Sequence, residues 1–217
     1  MKKTMTLPPN EPTSAEAVQQ WVENSNRKHD RFAHIADKYD SHRAQHGCYD
    51  VYPYSNGALL GTLARAQRAK RIVEVGGGLG YSALWFAYGA GAGSKIESIE
   101  KDPDHANIAR AHFKAAGLNQ RIAILPGKAA TILPTLEGDY DLAYFDTDPA
   151  ESLVALNHFA RLLKPGGLVI SANLFLGQYA PDLPGLEKTA EYRGRISNGK
   201  KWLTTFLPDG TGISIKI

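Results

Sequence analysis

The sequence predicts an α/β protein: a doubly wound, mostly parallel seven-stranded sheet that ends in an antiparallel hairpin and is preceded by N-terminal helices. From residue 71 onward, short runs rich in β-branched and aromatic residues alternate with helical stretches. That order pairs strands in parallel through right-handed crossovers. A glycine-rich turn follows the first of these runs. The last two runs are joined only by Pro208-Asp209-Gly210-Thr211, too few residues for a helix, so they pair antiparallel. With 217 residues, 43% of them hydrophobic, the chain is long enough for one substantial core and short for two. A single domain over 1–217 is expected.

Along the chain, Pro8, Pro9 and Pro12 make residues 1–12 a flexible arm, because proline removes amide donors. A helical segment spans 13–67. Thr13 and Glu16 form a capping box at its start. Val18, Trp21, Val22, Phe32, Ile35, Ala36 and Tyr39 recur at helical spacing, with a polar stretch after Val22 that can divide the helix in two. Another helix, 55–67, carries Leu59, Leu60 and Leu63 on one stripe. The α/β core occupies 70–217, with parallel strands at 71–75, 95–100, 121–125, 140–145 and 168–172. Helices are expected near 81–89, 103–116, 128–134 and 150–163, and the hairpin strands at 202–207 and 212–217.

Charge is almost balanced, 25 Lys and Arg against 22 Asp and Glu for a net +3, so no overall field demands nucleic acid as partner. The one cysteine, Cys48, excludes a disulfide framework, a four-thiolate zinc site and a three-cysteine iron-sulfur cluster within the chain, and suits a reducing compartment. The first residues lack the apolar segment of a secretory signal, and no window approaches the roughly 20 apolar residues that span a bilayer. A soluble, cytoplasmic protein without a membrane partner is expected.

The strongest motif is Glu74-Val75-Gly76-Gly77-Gly78-Leu79-Gly80-Tyr81-Ser82, where the first strand turns into a helix. Glycines there admit a nucleotide close to the backbone, and free helix-start amides point at the ligand. Glu100, ending the second strand, is placed to accept ribose hydroxyls. A dinucleotide turn needs its third glycine three residues beyond Gly78, but Tyr81 stands there and Gly80 comes too early. No Gly-Lys-Ser/Thr follows, which excludes a Walker phosphate loop.

These residues resemble the class I S-adenosylmethionine-dependent methyltransferases, which have a Rossmann-like fold. IVEVGGGLGYSALWFA, IESIEKDPDHANIAR, DLAYFD, LLKPGGLVISAN and TTFLPDGTGISIKI are similar to the catechol and caffeoyl-CoA type of small O-methyltransferases, over residues 50–217. The resemblance implies that Glu74 lies beneath the methionine part of the cofactor, that Gly76, Gly78 and Gly80 line its path and that Ser82 bonds its carboxylate. Glu100 would hold the ribose, with Lys101 and Gly127-Lys128-Ala129 framing the adenine. Lys128 stands where relatives often carry an acid or a small polar residue, so it reads equally as a solvated side chain. The resemblance also implies a homodimer.

The chain departs from this family at the acceptor end. Metal-dependent members carry D-A-D-K after the fourth strand and D-N after the fifth, which hold a divalent cation and supply a lysine base. Here the segments are Asp146-Thr147-Asp148-Pro149 and Ala172-Asn173, so a base and an anionic ligand are both replaced. Asp146, Asp148 and Asn173 are the residual metal candidates, and a divalent metal is not expected to be required. Asp146 and Asn173 remain catalytic candidates; Asp146 also counts among the cofactor-binding residues, since a carboxylate at this strand end can face the sulfonium or an acceptor hydroxyl, and it reads alternatively as a helix-capping acid. His42 and His46 can serve as bases or stand as exposed helix-end residues. His105, His112 and His158 read as structural.

Tyr49, Tyr52, Tyr54, Phe175 and Tyr179 either stack on a flat acceptor or pack the N-terminal helices. Lys188, Arg193, Arg195, Lys200 and Lys201 form a solvated face or a contact for an anionic substrate or RNA. The expected function is methyl transfer from S-adenosyl-L-methionine to oxygen of a small hydroxylated or carboxylated acceptor, independent of metal or weakly dependent on it. The alternatives are a tRNA-base-modifying methyltransferase and a non-catalytic S-adenosylmethionine-binding module.

Overall fold

The computed structural model describes residues 12–47 and 51–217. The proline arm up to residue 11, Cys48 and Tyr49 lie outside the described residues. Seven strands form one sheet: β1 (Arg71–Val75), β2 (Lys95–Glu100), β3 (Ile122–Pro126), β4 (Tyr140–Phe145), β5 (Leu163–Ser171), β6 (Trp202–Phe206) and β7 (Gly212–Lys216). Their order is β3-β2-β1-β4-β5-β7-β6. β1 to β5 pair in parallel; β7 runs antiparallel to β6, as the short hairpin connection requires, and also antiparallel to β5.

Strand side chains alternate between faces, so two cores form. On one face Ile72, Ile96, Leu142 and Ile170 pack under α2 (Ala33–His46), α3 (Gly57–Ala66), α4 (Tyr81–Ala90) and α5 (Pro103–Ala115). On the other, Val73, Val75, Ala143, Phe145 and Val169 pack against α7 (Ser152–Leu162) and α8 (Leu186–Ser197). A short α6 (Ala129–Ile132) follows β3. The strand order reverses between β1 and β4, and a crevice opens there at the carboxyl ends of the strands.

The helix α1 (Ala15–Lys28) is capped by Ser14, not Thr13: the Ser14 hydroxyl accepts from the Ala17 amide at 3.1 Å. The expected break falls between Lys28 and Ala33, where the Asp30 carboxylate accepts from the Phe32 amide. α1 buries none of its residues, leaving Val18, Trp21 and Val22 on its surface. α8 was not foreseen; it lies across the basic segment, because Thr189, Tyr192 and Ile196 alone supply its buried stripe. Among the described residues no helix is long and apolar enough to cross a membrane.

Candidate active site

The glycine turn is held by backbone geometry. Gly76 and Gly77 amides both donate to the Ile99 carbonyl, and the Asp146 amide donates to Val75. Gly76 has φ +92°, and a Cβ there would lie 1.8 Å from the Asp146 carbonyl oxygen, so only glycine lets β1 and β4 close around the crevice. Gly80, φ +92°, turns the chain into α4, with the Phe113 ring where a side chain would stand. The buried Tyr39 hydroxyl of α2 accepts from the Leu79 amide at 3.1 Å, inside the turn.

A cavity of about 360 Å³ opens at this point, lined by Gly76, Gly78, Ser82, Glu100, Lys101 and Asp146 among others. Glu100 is fixed from two sides, one carboxylate oxygen accepting from the Gly78 amide at 2.7 Å and the other from the Asp102 amide at 2.8 Å. Two accepted bonds leave lone pairs for a further donor. Glu74 lies beneath the turn, wholly buried, and receives the hydroxyls of Ser82 and Ser98. Burial pushes its carboxyl up to about 7 against those two bonds, and the nearby Asp146 and Glu100 charges add to the rise. The Ser82 hydroxyl is directed at Glu74 beneath the turn. Gly127 and Ala129 border a small adjoining cleft with Glu100, Lys101 and Glu151, while Lys128 between them is exposed.

At the other end of the cavity Asp146 accepts from the Tyr144 hydroxyl at 2.9 Å and from the Asn173 side-chain amide at 2.6 Å. Burial pushes the Asp146 carboxyl up to about 6, against both bonds. Asn173 adopts a left-handed φ of +58° directly after β5, which turns its amide onto Asp146. Ala172 is buried in the apolar core on the Tyr144 face of the sheet. Asp148 pairs with Lys101 across the crevice.

A hard divalent cation requires several oxygen ligands, anionic ones above all. Here one acid position is a buried methyl group, the Asn173 amide is turned onto Asp146, and Asp148 is paired with a lysine. This donor set does not fit such an ion. Among the described residues no three acidic, imidazole or thiol groups converge on a point that could hold a metal.

His42 and His46 stack on each other at 4.2 Å in α2, and His42 meets the His105 ring edge at 4.9 Å. His105 Nδ1 lies 3.9 Å from Glu100, so the group belongs to the Glu100 end. Neither His42 nor His46 lines the cavity that holds Asp146. Tyr52 and Tyr54 do line it, and the Tyr54 hydroxyl reaches Thr211 at 2.9 Å and Asp209 at 3.1 Å in the hairpin turn. Phe175 packs edge-on against Phe206, away from the cavity lining, and Tyr179 is largely exposed. In the basic cluster Lys188 donates to the Ala150 carbonyl, Arg193 to Leu174, and Arg195 to Glu191 and Asn157. Tyr39 and Tyr144 were not singled out as functional residues, because nothing in an apolar periodicity or a strand run reveals what a phenol will touch.

The comparisons with known proteins agree with this geometry. The family model described as O-methyltransferase matches residues 27–196. The chain is 33% identical over 165 residues to an O-methyltransferase-type protein of Mycobacterium sp. (strain JLS), covering 73% of this chain and 75% of the other. It is 34% identical over 122 residues to a catechol O-methyltransferase of Mycobacterium tuberculosis (strain ATCC 25618 / H37Rv), covering 56% of each. In fold it is similar to the Bacillus cereus O-methyltransferase solved in complex with SAH, with TM-score 0.74, 22% identity, and coverage of 93% of this chain and 97% of that one. The chain belongs to the O-methyltransferase family, and it is a class I enzyme that transfers a methyl group from S-adenosylmethionine to oxygen.

Proposed function

We propose that the acceptor is a small molecule whose hydroxyl is deprotonated by Asp146, with no metal ion taking part. The observation that carries this reading is the Asp146 carboxylate, aimed into the cavity and gripped by Tyr144 and Asn173 where related sites use a cation and a lysine. With its pKa near 6, Asp146 is mostly ionised at neutral pH yet basic enough to take a proton in the transition state. S-adenosylmethionine, when bound, supplies an electrophilic methyl group on a sulfonium. Glu100 accepts its ribose hydroxyls, and Gly76 and Gly78 give its chain room. Lys101 and the Gly127-Lys128-Ala129 turn border the adenine. Holding acceptor oxygen and methyl in line then provides much of the acceleration.

In the same reading residues 1–217 are one methyltransferase domain, acting in the cytoplasm as a homodimer, for which the bare Val18, Trp21 and Val22 face of α1 offers apolar surface. Light scattering of the purified protein measures the assembly. The catalytic reading is tested by following methyl transfer with one acceptor, with and without chelator. Activity that survives chelation and collapses in Asp146→Asn is expected; activity lost on chelation and restored by magnesium would overturn it.

A further inference from the structure

We propose that His112, held in one tautomer by Lys38, is a positioning residue for the cofactor: it fixes the Leu79 carbonyl of the glycine turn and, through that turn, the Gly78 amide on Glu100. The proposal rests on the reading that S-adenosylmethionine lies against this turn with its ribose on Glu100. It is independent of which group deprotonates the acceptor.

The polar groups of the turn are held from two directions. The Gly76 and Gly77 amides donate to the Ile99 carbonyl, the Gly78 amide to Glu100 and the Gly80 amide to the Gly77 carbonyl, so the sheet and the turn itself hold these four. Leu79 is held by side chains from two helices. Its amide donates to the Tyr39 hydroxyl of α2 at 3.1 Å, and its carbonyl accepts from the buried His112 of α5 at 2.8 Å. Leu79 stands between two glycines with left-handed backbone, Gly78 at φ +50° and Gly80 at φ +92°. Glycines leave an unanchored turn many conformations, and ordering it costs entropy. Side chains that grip Leu79 on both sides order it before the cofactor arrives, and such preorganisation raises affinity.

The partners also assign the histidine's proton. A carbonyl only accepts, so His112 Nδ1 carries the hydrogen that faces Leu79. The Lys38 ammonium, 3.3 Å from Nε2, only donates, so Nε2 is bare. Burial above all holds the imidazole below its ordinary pKa; the Leu79 bond opposes this, while Lys38 and His34 add to it, and the ring is uncharged at neutral pH. Lys38 and Tyr39 are consecutive on α2, so one turn of that helix supports the Leu79 amide directly and its carbonyl through His112. The second connection runs along α5. Asp102, the residue that caps this helix, donates its amide to Glu100, and the same helix carries His112 further on. The acid and the glycine turn are thereby set in register on one helix. His112, read from the sequence as structural, thus acts on the cofactor cavity without lining it.

The experiment titrates the full-length protein with SAH at neutral pH, by calorimetry and by nitrogen NMR of its histidines assigned through their backbone resonances. His112→Asn keeps an N–H donor near the Nδ1 position, whereas His112→Phe keeps the bulk of the ring without a donor. His112→Phe is expected to bind SAH about tenfold more weakly than the wild type, and His112→Asn within about threefold of it. Wild-type affinity in His112→Phe, or equal weakness in both variants, would overturn the role. In the wild-type protein His112 should show Nδ1 protonated and Nε2 bare, and its Nδ1 signal should move on addition of SAH while that of His158 on α7 stays in place. A His112 signal that ignores SAH overturns the role as well, even where neither variant folds. Glu100→Ala keeps the two readings apart. SAH affinity lost there, with His112 indifferent to SAH in the wild type, strikes the positioning role alone; affinity unchanged there removes the cofactor from this turn, and the proposal with it.

Discussion

The Tyr144 hydroxyl donates to Asp146 at 2.9 Å from two residues back on the same strand. Residues i and i+2 of a strand share a face, so a phenol two positions upstream reaches up the sheet to the carboxylate at its end. Tyr144 is itself wholly buried, with its ring edge-on to Phe86 and Tyr54, and so has one place to put its hydroxyl. Asn173 grips the other carboxylate oxygen. The acid is thereby oriented by protein donors alone.

Removing that carboxylate should show in rate. Asp146→Asn is expected to lower kcat/KM by about 10²- to 10⁴-fold, the usual contribution of a positioned base. In the wild type, ionisation of Asp146 near pH 6 should make kcat/KM climb about tenfold between pH 5 and 7. Because the Tyr144 bond holds the Asp146 pKa down, Tyr144→Phe should move that acid limb to higher pH. A pH profile that stays in place in Tyr144→Phe would show that the phenol does not act through Asp146.

Glu74 links the site to stability. Its carboxyl stands at about 7 in the folded protein against 4.5 ordinarily, so the folded state retains a proton that the unfolded chain releases within that window. Stability contributed by the protonated form is complete below pH 4.5 and declines as pH rises through 7, by about 3 kcal/mol. Glu74→Gln removes this titration. Denaturant midpoints of wild type and variant should therefore converge, or cross in the variant's favour, between pH 5 and 8. A constant difference across that range would mean that Glu74 ionises without penalty.

The parts legible in the sequence are those that local pattern determines. RIVEV and YDLAYF are β-branched or aromatic runs bounded by turns, and both form strands at the expected residues. The Gly76 and Gly80 turn was readable because residues with side chains rarely adopt those φ values, and a Cβ at either position would also collide with its neighbours. α8 was obscured because its buried Thr189, Tyr192 and Ile196 are interspersed with charged residues, and the run reads as a basic surface. Ser14 and Thr13 are equivalent as caps in sequence, and only the path of the chain selects between them. Least legible were contacts between residues distant in sequence. Tyr39 reaches Leu79 across 40 positions, and Lys101 reaches Asp148 across 47, which no periodicity encodes.

The Tyr39 contact should be measurable. Tyr39→Phe keeps the ring in the core and removes only the oxygen that accepts from the buried Leu79 amide. An unsatisfied buried donor costs about 1–3 kcal/mol. For a chain of this length that lowers Tm by about 2–4 °C per kcal/mol. The variant should also bind SAH more weakly, since the same amide belongs to the turn that faces the cavity. An unaltered Tm would mean that the turn finds another acceptor.

Ala172→Asp tests why the site does without a cation. Extended from the observed pairing of Phe145 with Ser171, the register sets position 172 beside Asp146, and the Ala172 amide donates to the Phe145 carbonyl. The methyl group is buried on the same face as Tyr144, so a carboxylate there loses its hydration and lies close to an existing acid. Its pKa in the folded protein must rise, which makes the variant increasingly unstable as pH climbs above the ordinary carboxylate range. A loss of about 3 kcal/mol or more is expected at pH 8, and a smaller one at pH 5. A divalent ion bridging Asp146 and the new acid would neutralise both charges. Millimolar magnesium should therefore raise the denaturant midpoint of Ala172→Asp and leave that of the wild type unmoved. Equal stabilisation of both proteins would show that Asp146 and Asn173 hold the ion by themselves, and that the alanine is not what bars it.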